Sequence, residues 1–199
     1  VALEVLAGTE LQWVDEHGHH REVVLRTRAL RDPRVRQALS LAIDRKALQE
    51  RIMDGGATPA TQFLPDGMLG TIPGLPVLPY DPAKAKALLA EAGYPDGVSL
   101  TLHATNNRYI NDARLAQAIV QQWQRIGVKA ELDAIPAVSF FARRGKRDFS
   151  VAMGGWSTDA GETLNFFRSW LISTDAAKGL GTSNYGGWSD PAFDHDVGA

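Results

Sequence analysis

The chain has 199 residues, 44% of them hydrophobic and 22% charged, with a formal net charge of −2. These proportions suit about one globular domain, exclude a disordered chain, and leave no global field to attract nucleic acid or an anionic membrane surface. Cysteine is absent, which excludes disulfides, thiolate catalysis and cysteine-ligated metal, and no apolar stretch is long enough to span a bilayer.

The chain opens at Val1-Ala2-Leu3, with no initiator methionine and none of the regions of a signal peptide. It stops at Asp194-His195-Asp196-Val197-Gly198-Ala199, where a helix is just starting. Both ends read as cut, so the chain is expected to be a piece of a longer protein. Near the start, His17-Gly18-His19-His20 places three imidazoles close together. Their spacing fits no structural zinc motif and nothing completes a ligand set, so a polar hairpin turn between two strands is the plainer reading.

Val23 to Arg28 reads as a strand. Asp32-Pro33 then supplies a cap acceptor followed by proline at the first helical position. The helix it starts carries Val35, Ala38, Leu39, Ala42 and Ile43 at helical spacing. Asp44 starts a second helical piece, ended by Gly55-Gly56. Residues 57–81 hold Pro59, Pro65, Pro73, Pro76 and Pro79 among several glycines, and no regular element survives that density of breakers. Such a loop either has a functional or docking role or wraps the surface.

Asp81-Pro82 repeats the cap-and-proline start, for a helix with Ala85, Leu88, Leu89 and Ala92. Val98, Leu100, Leu102 and Ala104 alternate as a strand does. Asn111 or Asp112 caps a helix with Leu115, Ile119, Trp123 and Ile126 on one stripe. Val128 to Ile135 is the next strand, Phe140 and Phe141 sit on a short helix, and Phe149 to Met153 forms another strand. Arg143, Arg144, Lys146 and Arg147 read as a solvated helix end. This alternation predicts an α/β fold: a mixed sheet flanked by helices, with crossover connections.

Gly154-Gly155-Trp156-Ser157-Thr158-Asp159 follows the last strand directly, where ligands sit in open α/β sheets. Two glycines, an indole and a carboxylate make it a candidate ligand contact. The following helix carries Asn165, Phe166, Phe167 and Trp170, and the end is loop-like through Gly187 and Trp188. No nucleophile elbow, phosphate loop or dinucleotide fingerprint is present, so no enzyme, no cofactor and no metal are expected.

Four segments resemble one family. Asp32-Pro33-Arg34-Val35-Arg36-Gln37-Ala38-Leu39, running on to Ala42-Ile43-Asp44-Arg45, resembles the entry helix of the second lobe of family 5 solute-binding proteins, the receptors of peptide and nickel importers. Tyr80-Asp81-Pro82-Ala83-Lys84-Ala85-Lys86-Ala87-Leu88-Leu89 with Glu91-Ala92-Gly93-Tyr94-Pro95-Asp96-Gly97 looks like its most recognisable run. Gln124-Arg125-Ile126-Gly127-Val128-Lys129-Ala130-Glu131-Leu132 is similar to its helix-to-strand turn, and Asn184-Tyr185 with Trp188-Ser189-Asp190-Pro191-Ala192-Phe193-Asp194 to the stretch leading out of the lobe. The likeness runs from about residue 23 to the end.

The resemblance implies that residues 1–199 form a single lobe, the second of a two-lobe, type II periplasmic-binding-protein-like fold that closes on its ligand. It implies a substrate-binding component of an ABC importer for a peptide-like or other small polar solute. The partners would be that ligand and the permease, with no nucleic acid and a monomeric fragment. The location would be periplasmic or extracellular, free or lipid-anchored. A ligand-sensing lobe of a cytoplasmic transcriptional regulator is the alternative. In peptide-binding relatives, an aspartate in a Gly-Trp-x-x-Asp run pairs with the peptide ammonium, and Gly155-Trp156-Ser157-Thr158-Asp159 matches it. Asp159 is otherwise a cap for the helix near Gly161 or Glu162. The family's Asp-Pro after this run is replaced by Glu162-Thr163. Trp156 is a pocket wall or a core residue. Arg108, in Asn106-Asn107-Arg108-Tyr109, is a cation for a substrate carboxylate or a solvated surface residue.

Overall fold

The structure is a computed structural model describing residues 2–4, 11–14, 20–23, 28–62, 64, 66–155 and 161–198. Strands β1 (Ala2–Glu4), β2 (Leu11–Val14) and β3 (His20–Val23) open the chain, and β2 and β3 pair as an antiparallel ribbon. The two strands expected on either side of the histidines thus pair, while the turn itself, residues 15–19 with His17 and His19, lies outside the described residues. The strand expected over 23–28 differs: β3 ends at Val23, residues 24–27 lie outside the described set, and Arg28–Arg31 forms a 3-10 turn.

Helices α1 (Pro33–Leu41), α2 (Arg45–Arg51) and α3 (Pro82–Glu91) start as their sequences dictate. The carboxylates of Asp32, Asp44 and Asp81 accept from the amides of Arg34, Ala47 and Lys84 at 2.8, 2.9 and 2.8 Å, and Pro33 and Pro82 fill first-turn positions that need no donor. Strand β4 (Ser99–Thr105), α4 (Asp112–Arg125), β5 (Lys129–Ile135), α5 (Ala137–Gly145) and β6 (Val151–Gly154) then alternate. A short α6 (Thr163–Phe166) runs into a π-helical turn (Phe167–Leu171), and α7 (Pro191–Gly198) ends the described chain.

The sheet order is β1-β6-β4-β5, with β4 parallel to both β5 and β6 and β1 antiparallel on the edge. The mixed sheet flanked by helices is thus borne out. One face packs on α1, α3 and α4 through a core that includes Leu39, Leu89, Leu102, Ile119, Trp123 and Met153. Trp123 is fully buried, and its indole donates to the Leu39 carbonyl at 3.0 Å. The opposite face is covered by α5, where Phe140, Phe149 and Ala152 cluster. Phe149, expected inside the strand, precedes β6 and stacks its ring on His103 at 4.5 Å.

Gly97 adopts φ +81°, and a Cβ there would collide with the Gly127 carbonyl. That contact locks the α3–β4 turn onto the α4–β5 turn, so the helix-to-strand run seen in the sequence is one packed corner.

Candidate functional site

The carboxyl ends of β4, β5 and β6 lie side by side. The chain leaves β4 for α4 on one face and β5 for α5 on the other. In an open parallel sheet, ligands usually sit at the carboxyl edge where such connections diverge to opposite faces.

Asp112 builds the β4–α4 loop. It is buried, and its Oδ2 accepts from the Thr105 hydroxyl at 2.7 Å and from the amides of Arg108 and Tyr109 at 2.9 and 3.2 Å. Its Oδ1 accepts from the Ala113 amide at 2.8 Å. Burial pushes its carboxyl pKa up, but the bonds from Arg108, Thr105, Tyr109 and Ala113 outweigh that and hold it below the usual carboxylate range. Asn111 stands at the cap position without capping. It is left-handed (φ +55°), and its amide donates to the Ile52 carbonyl at 2.9 Å, tying the end of α2 to the loop. Asn107 accepts from the Ala137 amide at 2.8 Å, joining this loop to the start of α5.

Arg108 is exposed at this edge, its guanidinium 5.6 Å from the Tyr109 ring. Gly155 follows β6, and a Cβ there would lie 2.9 Å from Tyr109 Cε1 and 3.1 Å from Cζ. The missing side chain at Gly155 thus lets the Tyr109 ring approach the backbone at the end of β6. Trp156 and Asp159 lie outside the described residues. The neighbouring helix bears on Asp159 all the same. Glu162 is the N-cap of α6, its carboxylate accepting from Leu164 and Asn165 at 2.9 Å each. The cap position that a bland reading gave Asp159 is therefore filled by Glu162.

The far end of that loop is held by the long loop. Leu69 N donates to Gly161 O at 3.3 Å, and Leu69 O accepts from Thr163 N and Thr163 Oγ1, both at 3.0 Å. The described residues of 57–81 carry no helix or strand, as expected, and Leu69 forms a parallel bridge with Glu162 next to Gly161. Sequence reasoning missed Leu69, Tyr109 and the anchoring role of Asp112. Only the buried aspartate beside a strand end was a usable signal. Leu69 (76%) and Ile110 (77%) stand exposed on these connections, and Val138 (85%) in the first turn of α5.

The basic cluster departs from expectation. Arg143 Nη1 pairs with Asp133 at 2.7 Å and Nε with Asp148 at 3.2 Å, and the Arg144 guanidinium lies 4.6 Å from the Tyr185 ring and 4.8 Å from Phe141. Three of the four cations thus hold partners, Arg147 through the Asn184 carbonyl at 3.5 Å, while Arg143 keeps 36% of its side chain exposed. Asp133 also meets buried His103, Nδ1 to Oδ2 at 3.1 Å. Burial pushes the His103 pKa down, against the opposing pull of Asp133. Among the described residues no cluster of His, Asp or Glu could hold a metal ion.

A mixed sheet, parallel except for its edge strand, with helices on both faces and connections that diverge at its carboxyl edge is the architecture of a lobe of the periplasmic-binding-protein type. The family described as Bacterial extracellular solute-binding proteins, family 5 Middle, matches residues 16–178. The chain is 34% identical over 167 residues to heme-binding protein A of Haemophilus influenzae, covering 81% of this chain and 29% of that protein. It is 42% identical over 147 residues to the glutathione-binding protein GsiB of Salmonella typhimurium, covering 71% and 27%. The periplasmic binding protein DppA of Helicobacter pylori, solved with the peptide STSA, superposes with a TM-score of 0.74 at 26% identity, covering 84% of this chain and 32% of that one. The chain belongs to the family 5 solute-binding proteins, and it spans less than a third of the length of these relatives.

Proposed function

We propose that the protein containing this chain is the substrate-binding component of an ABC importer, acting outside the cytoplasmic membrane and handing its solute to a permease without transforming it. Residues 1–199 belong to one lobe, and its carboxyl edge forms one wall of the cleft. The observation that carries this reading is the double anchoring of the 155–161 loop. Gly155 packs on Tyr109 at one end, and Gly161 and Thr163 bridge to Leu69 at the other. Ligand binding favours the closed state by differential affinity. The names of the relatives, binding proteins for heme, glutathione and peptide, favour this reading over a cytoplasmic regulator.

The solute is a peptide-like or other small polar molecule with a free amine. In a closed, dry cleft Asp159 gives a charge-assisted hydrogen bond to its ammonium group, Trp156 walls the side-chain pocket, and Arg108 meets a carboxylate. A thermal-shift screen of the full-length protein against peptide and metal libraries tests this. Peptides with a free amine are expected to stabilise it, and Asp159→Ala to abolish their shift. Full stabilisation of that variant by the same peptides refutes the Asp159 assignment.

A further inference from the structure

A cavity of about 410 Å³ opens between α1, α2, residues 57–62 and the start of α4. That volume is in the range of small-molecule sites. Its floor is apolar, made by Leu39, Leu48, Leu115, Ile119 and Met153. Its polar lining includes Gln49, Thr58, Thr61 and Gln62 and a row along α1 and α2: Arg36, Ser40 one turn on, and Arg45.

This row is cationic, and a carboxylate that feels it, Asp32, is influenced by Arg36 from beyond ion-pair distance and pairs with Arg34. Arg45 is partly buried, and its guanidinium donates to the carbonyls of Ser40 (3.1 Å) and Ile43 (3.3 Å) and to the Ser40 hydroxyl (2.9 Å). Arg36 donates to the carbonyls of Leu30 (2.7 Å) and Arg31 (2.9 Å). Among the described residues neither lies within ion-pair distance of a carboxylate, and no acidic residue lines the cavity. The nearby acids are turned elsewhere: Asp44 caps α2, and Asp66 takes the Gln62 amide at 2.7 Å. Burial pushes the Arg45 pKa down, as for a cation without a counter-charge. Cations withdrawn from water are ordinarily paired, so two beside an apolar cavity mark the place of an anion.

We propose that this cavity is a further binding site, one for a small amphipathic anion. A carboxylate head is held by Arg36, Ser40 and Arg45, and a short alkyl tail lies on the apolar floor.

The test is calorimetric titration of the 199-residue chain with decanoate, alongside decanol and decylamine. Saturable decanoate binding is expected, with decanol and decylamine each at least about tenfold weaker. Arg45→Gln, which removes charge-assisted bonds, is expected to weaken decanoate about tenfold to a hundredfold. Ala60→Trp, at an exposed position on the rim, is expected to block the site while leaving both arginines in place. Circular dichroism checks that each variant folds, and if Arg45→Gln does not, Arg36→Gln takes its place. Equal binding of decanol and decanoate, undiminished binding by the folded arginine variant, or no saturable binding up to about 5 mM overturns the proposal.

Discussion

Removing the Asp112 carboxylate should loosen the β4–α4 loop at a cost large enough to measure. The side chain accepts four hydrogen bonds while only 4% exposed. Each bond to an ionised acceptor is worth about 1.5–3 kcal/mol net, and each buried donor left unmet costs about 1–3 kcal/mol. The sum overstates the loss, because Arg108 is exposed and its amide can turn to water. Asp112→Ala is therefore expected to cost about 3–5 kcal/mol, near the value for breaking one side of a buried charged network. With an m-value of about 1–3 kcal/mol/M, the urea midpoint falls by roughly 2 M. Asp112→Asn keeps one oxygen for the three donors on that side and turns an amide toward Ala113 N, a loss of about 1–2 kcal/mol. The sign of the pH dependence follows from the depressed carboxyl pKa. Its contribution is fully present above the unfolded value of about 3.9 and is lost as pH falls through the folded one. The gap between wild type and Asp112→Asn, read by circular dichroism in urea, should narrow in that acid range. Matching midpoints at pH 7, or a gap that stays constant into the acid range, would refute the reasoning.

Other expectations rest on single contacts. Gly155→Ala should push Tyr109 aside and lower stability, and Tyr109→Ala should relieve the clash; a double-mutant cycle with coupling under about 0.5 kcal/mol would rule out the contact. His103 has a depressed pKa, so the unfolded chain binds more protons there and wild type should lose stability as pH falls below about 6.5. His103→Asn should remove that slope, and urea midpoints for the two proteins across pH 5–8 decide it; identical slopes contradict the assignment. Trp123→Ala should cost about 3–5 kcal/mol, since it empties a fully buried site and orphans the Leu39 carbonyl. A change under about 1 kcal/mol in urea unfolding would place Trp123 outside the core.

The parts of the fold that were legible in the sequence are those fixed by neighbours. Asp32-Pro33 and Asp81-Pro82 begin helices because the acceptor and the donors it satisfies lie within three residues. The stripe of Leu115, Ile119, Trp123 and Ile126 is buried because helical spacing alone puts those residues on one side. Illegible features depend on distant partners. Asn111 looks like a cap, yet its amide goes to Ile52, and Arg143 and Arg144 look solvated, yet their partners are Asp133 and Tyr185. The breakers in 57–81 announced an irregular loop, but the bridge from Leu69 to Gly161 and Thr163 crosses more than ninety residues. No local pattern encodes that pairing.

The chemistry of that bridge bears on specificity. Leu69 holds the loop's far end mainly through backbone groups, its own N–H and C=O with Gly161 O and Thr163 N. At the near end Gly155 contributes the absence of a side chain. On the proposed reading, substitutions at 156–160 change what the cleft accepts while these two anchors, made at 155, 161 and 163, stay in place. A framework shared at 34–42% identity by proteins named for heme and for glutathione is consistent with that division. The segments that identify the family so readily encode corners, caps and core: Asp32-Pro33 and Asp81-Pro82 start helices, and Gly97 packs on Gly127, so a match in them reports the framework and not the solute.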